Sequence, residues 1–205
     1  MKEDGMYWGA KELNDSGEDE YKEEPSYLEI VDNHIYFYSE VKKSKILKLI
    51  QNIQKLNNRL LVRERSFKVQ GYKIYLHINS FGGDVFSGLA AMDSILQSEI
   101  PVVTIVDGAC ASAASFLSIV GKERYINPHS YMMIHQISSA MWGKYEEFKD
   151  EMKNLESLMT LIKRIYKKYT KIPKEKLNLN ELLKHDIWLN AEECLEYGLV
   201  DDIVK

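Results

Sequence analysis

Cysteine is scarce in this sequence, and long apolar runs and an excess of basic charge are missing. Only two cysteines occur, Cys110 and Cys194, far apart and without metal-ligand spacing. A disulfide framework is therefore not expected, and a reducing environment is favoured. No apolar run approaches the ~20 residues that a membrane helix needs. The net charge of −4 gives no reason to expect nucleic acid as a partner.

The N-terminal region differs in composition from the rest of the chain. It also lacks the basic and then apolar pattern of a signal peptide, so we expect a soluble, intracellular protein. Residues 1–26 contain nine acidic and three basic residues, a local net charge of −6. Such a segment repels itself and has little to bury, which predicts a mobile tail ahead of one domain at 27–205. A gating or docking segment that orders in an assembly is the alternative, anchored by Met6, Tyr7 and Trp8.

Hydrophobic periodicity from residue 27 onwards predicts strands alternating with helices. This alternation indicates an α/β fold with parallel strand pairing. The predicted elements begin with two short strands at 28–38 around an Asp32-Asn33 turn, an amphipathic helix at 42–57 and a loop or ragged hairpin at 57–70. A strand at 74–78 and a glycine turn at 82–83 then lead to a helix with Leu89, Met92, Ile95 and Leu96 on one side, and a strand at 101–106 and a small-residue turn at 107–112 lead to a further helix. The last elements are strands near 124–126 and 131–134, a long helix at 143–169, a helix before Trp188 and a closing segment at 198–204.

Three segments carry groups suited to nucleophilic catalysis. Gly82-Gly83 follows a strand and can place backbone N–H groups close to a ligand, although tight turns use such pairs routinely. Ser112 closes the run 108–112 of small residues after another strand, where it could equally be a helix cap. His135 ends an apolar strand and is the side chain best matched to removing a serine proton near neutral pH. Each segment alone is ambiguous, but together they supply a nucleophile, a base and backbone donors.

These segments resemble those of the ClpP-type serine peptidases. INSFGG at 78–83 resembles the family's INSPGG segment, with Phe81 in place of proline. GACAS at 108–112 resembles its nucleophile turn, and NPHS followed by MIHQ at 133–136 resembles PNS…MIHQ. The run 188–201 resembles the C-terminal FLSAEEAxEYGLVD motif. The resemblance covers about 27–205 in one order, and it implies a ClpP/crotonase-like spiral of ββα units with a protruding handle helix.

The resemblance also implies a role for particular residues. Ser112 would be the nucleophile and His135 its general base, with the N–H groups of Gly83 and Ala113 forming the oxyanion hole. An extended substrate would bind between the backbone edges 83–85 and 137–139, which makes the substrate-binding residues Gly82, Asp84, Val85, Ile137 and Ser138.

The third member of the triad is less well defined. The family uses an aspartate before the C-terminal motif, and two alignments of that segment put Leu182 or Asn180 at its position. We expect Asp186 to serve instead, one helical turn beyond Leu182, with Asn180 and Glu181 as alternatives. Loss of the orienting aspartate would leave a site that is relocated, slow or inactive.

The family further implies how the protein would work in a cell. The long helix after Gly143 would interlock two stacked heptameric rings, and a Clp-type AAA+ ATPase would deliver unfolded polypeptides. ATP would be used only by that partner, and no cofactor or metal is expected. Cytoplasm, plastid stroma or the cytoplasm of a virus-infected host would fit. The alternatives are a catalytically weakened ring subunit and a crotonase-like acyl-CoA enzyme on the same fold, while a serine–lysine signal-peptide peptidase is disfavoured by His135.

Overall fold

The computed structural model describes residues 27–140, 142–172 and 179–205. The acidic N-terminal tail expected at 1–26 lies outside them. The elements of the described residues are, in order, β1 (Tyr27–Val31), β2 (His34–Tyr38), α1 (Lys43–Phe67), β3 (Ile74–Ser80), α2 (Val85–Leu96), β4 (Val102–Ala111), a 3₁₀ turn (Ser112–Ala114), α3 (Ser115–Ser118), β5 (Glu123–Ile126), β6 (Tyr131–Met133), α4 (Tyr145–Tyr169), α5 (Leu179–Leu182), β7 (Trp188–Leu189), α6 (Ala191–Glu196) and β8 (Asp202–Ile203).

The strands form one sheet in which parallel pairing predominates, as the alternation of strands and helices predicted. β1 and β2 are an antiparallel hairpin, and β2, β3, β4, β5 and β8 follow as parallel neighbours. Side chains of β3 alternate between buried and half-buried positions, as expected of a strand covered well on one face. The ends of the parallel strands therefore meet along one edge, where the candidate catalytic segments begin.

β4 is longer than the sequence indicated, and it divides the sheet. The expected turn at 107–112 is wrong, because the strand continues through Gly108 to Ala111. Its first half pairs with β5 and its second half with β6, and the register against β3 shifts between Ile78 and Ser80. Gly108 has a φ of 112°, so the glycine bends the strand where it changes partner. The bend turns the C-terminal half of β4 towards the β6–β7 pair.

α1 extends well beyond the predicted boundary. The segment at 57–70 was expected to be a loop or ragged hairpin, but the helix runs to Phe67. Leu60 continues the buried stripe of Leu56 one turn further, and Arg and Leu residues in this segment are good helix formers. Lys68 ends the helix in the left-handed conformation.

α4 confirms the long helix predicted at 143–169, and only its C-terminal part is anchored in the core. Ile162, Ile165 and Tyr166 are buried. Earlier apolar residues face solvent, with Phe148 43% and Met152 57% exposed. An apolar helix face left open in the single chain is the feature expected of a protruding handle. None of the described helices has the length and apolarity needed to cross a membrane.

Candidate active site

Ser112 lies where β4 leaves the sheet, in a backbone conformation that serine rarely adopts. Its φ is 53°, and the 3₁₀ turn begins at this residue, so Ser112 is not the N-cap of a helix. A left-handed non-glycine residue costs of order 1–3 kcal/mol and persists only when its surroundings hold it in place. Such strain is common at positions where a side chain is presented to a ligand.

A buried hydrogen-bond chain from the handle helix holds this turn. The Ser115 hydroxyl donates to the carbonyl of Ser112 and is 2.6 Å from the hydroxyl of Tyr166. Because Ser115 has a single O–H, already used for the Ser112 carbonyl, the Tyr166 hydroxyl must be the donor to Ser115. Tyr166 is 1% exposed, and burial raises the pKa of its phenol, which keeps it protonated. The chain therefore links α4 directly to the backbone of Ser112.

Strand register brings His135 and Asp186 face to face. β6 and β7 are antiparallel, with Met133 opposite Trp188. Continuing this register by two residues places His135 opposite Asp186, and their side chains meet with Nδ1 3.4 Å from Oδ1. The Gln136 amide donates to the Leu183 carbonyl at 2.7 Å, which holds the extension of β6 in place. The imidazole is 21% exposed and the carboxylate 77%.

The predicted route to Asp186 was wrong, although the residue itself is the carboxylate beside His135. α5 ends at Leu182, so Asp186 does not lie one helical turn further along it. Leu182 is fully buried, whereas Glu181 pairs with Lys184 at 2.8 Å. Asn180 is exposed on α5. No hydrogen bond or ion pair joins Asn180 or Glu181 to His135 in the described part of the chain.

Ser112 and His135 follow neighbouring strands but are not hydrogen-bonded. β4 and β6 are parallel, with Ala111 beside Met133, so Ser112 comes one residue and His135 two residues after the last pair. Neighbouring strands lie about 4.8 Å apart, which places the two residues side by side at the same edge. Among residues 27–140, 142–172 and 179–205, however, no hydrogen bond joins the Ser112 hydroxyl to the imidazole.

The double glycine packs directly against the nucleophile turn. A Cβ on Gly82 would lie 2.7 Å from both the Ser112 Cβ and the Ala111 carbonyl oxygen, and 3.2 Å from the Ala113 nitrogen. Gly82 and Gly83 have φ values of 98° and 141°, so glycine is required at both positions. The Gly83 amide is not committed to another acceptor among the described residues, and it lies in the loop that touches Ser112.

Two other nucleophile or base candidates are excluded by their surroundings. Cys110 is fully buried, and burial raises the pKa of its thiol, which makes it inert as a nucleophile. His77 and Asp107 form a tighter pair than His135 and Asp186, at 2.7 Å. The second ring nitrogen of His77 is 2.9 Å from Nδ1 of His34, so neither ring nitrogen is open to a serine.

A cleft of about 1070 Å³ opens beside the candidate residues. Four of the five predicted substrate-binding residues line it, Asp84, Val85, Ile137 and Ser138, whereas Gly82 packs against the nucleophile turn instead. The Asp84 carboxylate accepts from the Ser87 amide at 2.7 Å, so the side chain caps α2. Hydrogen bonding by the Ser87 side chain, and to a lesser degree by its amide, lowers the pKa of Asp84. The Ile137 amide contacts the thioether of Met159, a weak acceptor that a peptide carbonyl could replace.

A serine, an imidazole and a carboxylate in this order across three neighbouring strands are the groups of a serine hydrolase triad. Comparison with known proteins assigns the family. The Clp protease family profile matches residues 29–205, and the chain belongs to that family. The predicted family and its α/β fold are therefore confirmed.

Two bacterial relatives illustrate the similarity. The chain is 34% identical over 134 residues to a Deinococcus radiodurans protein named ATP-dependent Clp protease proteolytic subunit. It is 36% identical over 134 residues to a Treponema denticola protein named ATP-dependent Clp protease proteolytic subunit 2. Each match covers 64% of this chain, and it spans 65% of the first relative and 66% of the second.

Two features of the site were not predicted from the sequence. The link from Tyr166 through Ser115 joins residues 51 positions apart, and neither residue belongs to a motif that signals the contact. The second feature is a ring contact between Phe81 and Trp188. Its only sequence signal was Phe81 itself, the aromatic residue in place of the proline of the resembling motif.

Proposed function

We propose that this protein is a serine endopeptidase, the proteolytic subunit of an ATP-dependent Clp protease, which hydrolyses unfolded polypeptides through an acyl-enzyme. The observation that carries the proposal is the convergence of Ser112, His135 and Asp186 at one edge of the sheet, with the Gly82 loop packed against the serine. The names of the two bacterial relatives support the same activity.

In the proposed reaction, the Ser112 hydroxyl attacks the scissile carbonyl while the open Nε2 of His135 takes its proton. Amides of Gly83 and Ala113 stabilise the oxyanion of the tetrahedral intermediate. The imidazolium then protonates the leaving amine, which yields the acyl-enzyme and a free peptide. Water, activated by the same imidazole, hydrolyses the ester and restores Ser112. Asp186 accepts a hydrogen bond from Nδ1, which fixes the tautomer and stabilises the imidazolium.

Substrate would bind in the cleft as an added strand between the edges 83–85 and 137–139. Backbone hydrogen bonds would supply most of the affinity, so selectivity for sequence would be weak. Closure of the gap between Ser112 and His135 is required for catalysis, and catalytic hydrogen bonds often tighten only when substrate is bound. Tyr166 lies on α4 and is hydrogen-bonded through Ser115 to Ser112, so assembly of the handle would act directly on the nucleophile turn.

The exposed apolar face of α4 supports assembly through the handle. We propose two stacked heptameric rings, a Clp-type AAA+ ATPase as the partner that supplies unfolded chains, and a cytoplasmic location. Sedimentation at micromolar concentration should give a closed ring oligomer, and a monomer would contradict this part of the proposal.

Replacement of the nucleophile tests the activity. We expect Ser112→Ala to reduce turnover of a fluorogenic peptide by at least about 10³-fold, because no other side chain can form the acyl-enzyme. Ser66→Ala, on the exposed end of α1, is the matched control and should behave as wild type. Unchanged turnover by the Ser112→Ala protein would refute the proposal.

A catalytically weakened ring subunit is the second candidate. The 77% exposure of Asp186 and the missing bond between Ser112 and His135 favour it. Fluorophosphonate labelling distinguishes the active peptidase from the weakened ring subunit, because the reagent labels only a serine whose hydroxyl is activated. Labelling of Ser112 in the assembled protein supports the peptidase, and a lack of labelling supports the weakened subunit. The Clp protease match leaves the crotonase-like alternative without support.

A further inference from the structure

Two large aromatic side chains stand exposed beside the candidate catalytic residues. Phe81 is 65% and Trp188 38% exposed, and their rings meet edge to face with centroids 6.0 Å apart. Isolated exposed aromatics are common on protein surfaces, but this pair joins segments that are distant in the sequence. An edge-to-face contact covers only part of the ring surface, and the exposed remainder can take a further apolar group.

Register places Trp188 next to the imidazole. Met133 and Trp188 are directly opposite each other, while the adjacent pair Met132 and Leu189 is buried. Side chains alternate between the two faces of a strand, so Trp188 shares the open face with His135 and Asp186. Two residues along an extended strand correspond to about 7 Å of backbone, so Trp188 follows Asp186 at short range along the chain.

Residue order along two segments indicates that the aromatic pair and the substrate cleft flank the catalytic residues on opposite sides. Along the first segment, Phe81 precedes Gly82, which touches Ser112, and the edge 83–85 follows it. Along the second segment, the Trp188 partner Met133 precedes His135, and the edge 137–139 follows it. In both segments the order is therefore aromatic pair, catalytic residue, cleft.

We propose that Phe81 and Trp188 form a subsite for a large apolar side chain on the leaving-group side of the scissile bond. This inference rests on the proposed peptidase function. If the acyl part of the substrate occupies the cleft, the departing part must leave across the opposite side, where the aromatic pair lies. An aromatic or branched aliphatic residue directly after the scissile bond would pack on the open ring faces and displace water from them.

The subsite has a kinetic consequence. The leaving peptide departs when the acyl-enzyme forms, so the aromatic pair acts on acylation and has no contact with the substrate during hydrolysis of the ester. Selectivity from the pair therefore appears in kcat/KM for peptides that extend beyond the scissile bond. Substrates whose leaving group is a small dye do not report on it.

The test uses the assembled full-length protein and internally quenched peptides with one fixed acyl side. The residue after the scissile bond is phenylalanine, leucine, glycine or aspartate. We expect wild type to prefer phenylalanine to glycine by about tenfold in kcat/KM, as apolar contacts of this size allow. Phe81→Ala should reduce that preference to about twofold, and Phe81→Leu should retain most of it for leucine.

Two control variants define the position of the effect. Phe67→Ala removes an equally exposed ring at the far end of α1, 70% exposed, and should leave the preference unchanged. Phe86→Ala removes a ring that lines the cleft, so it should alter selectivity on the acyl side alone. A change of leaving-side preference in the Phe86→Ala protein would overturn the assignment of sides.

Fluorophosphonate labelling separates failure of the subsite from failure of the peptidase proposal. If wild type is not labelled at Ser112, the peptidase proposal fails and the subsite fails with it. If Phe81→Ala is labelled and its preference for phenylalanine is unchanged, the subsite alone is overturned. Loss of labelling in the Phe81→Ala protein would show that Phe81 positions the serine, which also overturns the subsite. Labelling with a reduced preference supports it.

Discussion

Replacement of Asp186 by asparagine tests whether strand register, and not helical spacing, supplies the third catalytic group. Asparagine keeps the size of the side chain and removes its charge, so it can accept a hydrogen bond but stabilises an imidazolium poorly. The carboxylate oxygen and Nδ1 of His135 are 3.4 Å apart. Unit charges at that distance attract by about 1 kcal/mol in water and by about 5 kcal/mol at an effective dielectric constant of about 20.

Exposure decides where in this range the effect falls. Asp186 is 77% exposed, so solvent screens it strongly and the effect lies towards the lower end. A loss of about 1.4 to 2.8 kcal/mol corresponds to about 10- to 100-fold in kcat. A buried triad aspartate, by comparison, contributes about 10⁴ in kcat. We therefore expect Asp186→Asn to lower kcat by about 10- to 100-fold with little change in KM.

The assay is steady-state hydrolysis of a fluorogenic peptide by assembled protein. Glu181→Gln is the matched control, because Glu181 is a nearby carboxylate paired with Lys184 and should leave kcat within about twofold of wild type. A kcat of the Asp186→Asn protein within about twofold of wild type, or a larger loss in the Glu181→Gln protein, would refute the catalytic role of Asp186.

Three further predictions concern the frame around the site. Tyr166→Phe removes the donor to Ser115 and should lower kcat by about fivefold, whereas Tyr169→Phe, outside that chain, should not change it. Gly82→Ala places a Cβ 2.7 Å from the Ala111 carbonyl oxygen and should destroy peptide turnover, with thermal unfolding as the folding check. The hydrogen bond from Arg124 lowers the pKa of Asp201 in the folded protein. The pair therefore stabilises the fold fully above the pKa of an aspartate in the unfolded chain, about 4, and this contribution is lost as pH falls through the pKa of Asp201 in the folded protein. In urea unfolding, the free energy of unfolding of the Arg124→Ala protein should fall less than that of wild type as pH is lowered through this range. An unchanged pH dependence would contradict this prediction.

The parts of the fold that depend on local periodicity could be predicted from the sequence. Alternating strands and helices, the long helix α4 and the motif residues Ser112 and His135 were all evident from spacing or resemblance. Local composition misled in two places. Gly108 suggested a turn but bends a continuous strand, and the basic residues after Asn57 suggested a loop but continue α1.

Features that depend on long-range pairing could not be derived in the same way. Asp186 reaches His135 because β7 pairs antiparallel with β6, and helical spacing within one segment contains no information about that register. The contact of Phe81 with Trp188 and the chain from Tyr166 to Ser112 likewise require the folded sheet.

A structure of the assembled particle after reaction with a peptidyl phosphonate would examine nucleophile, base and oxyanion hole together. We predict a covalent bond from phosphorus to the Ser112 hydroxyl oxygen, the His135 imidazole within about 3 Å of that oxygen, and the phosphonyl oxygen bound by the amides of Gly83 and Ala113. An adduct on another residue, or an imidazole that remains turned away from the modified serine, would contradict the peptidase mechanism.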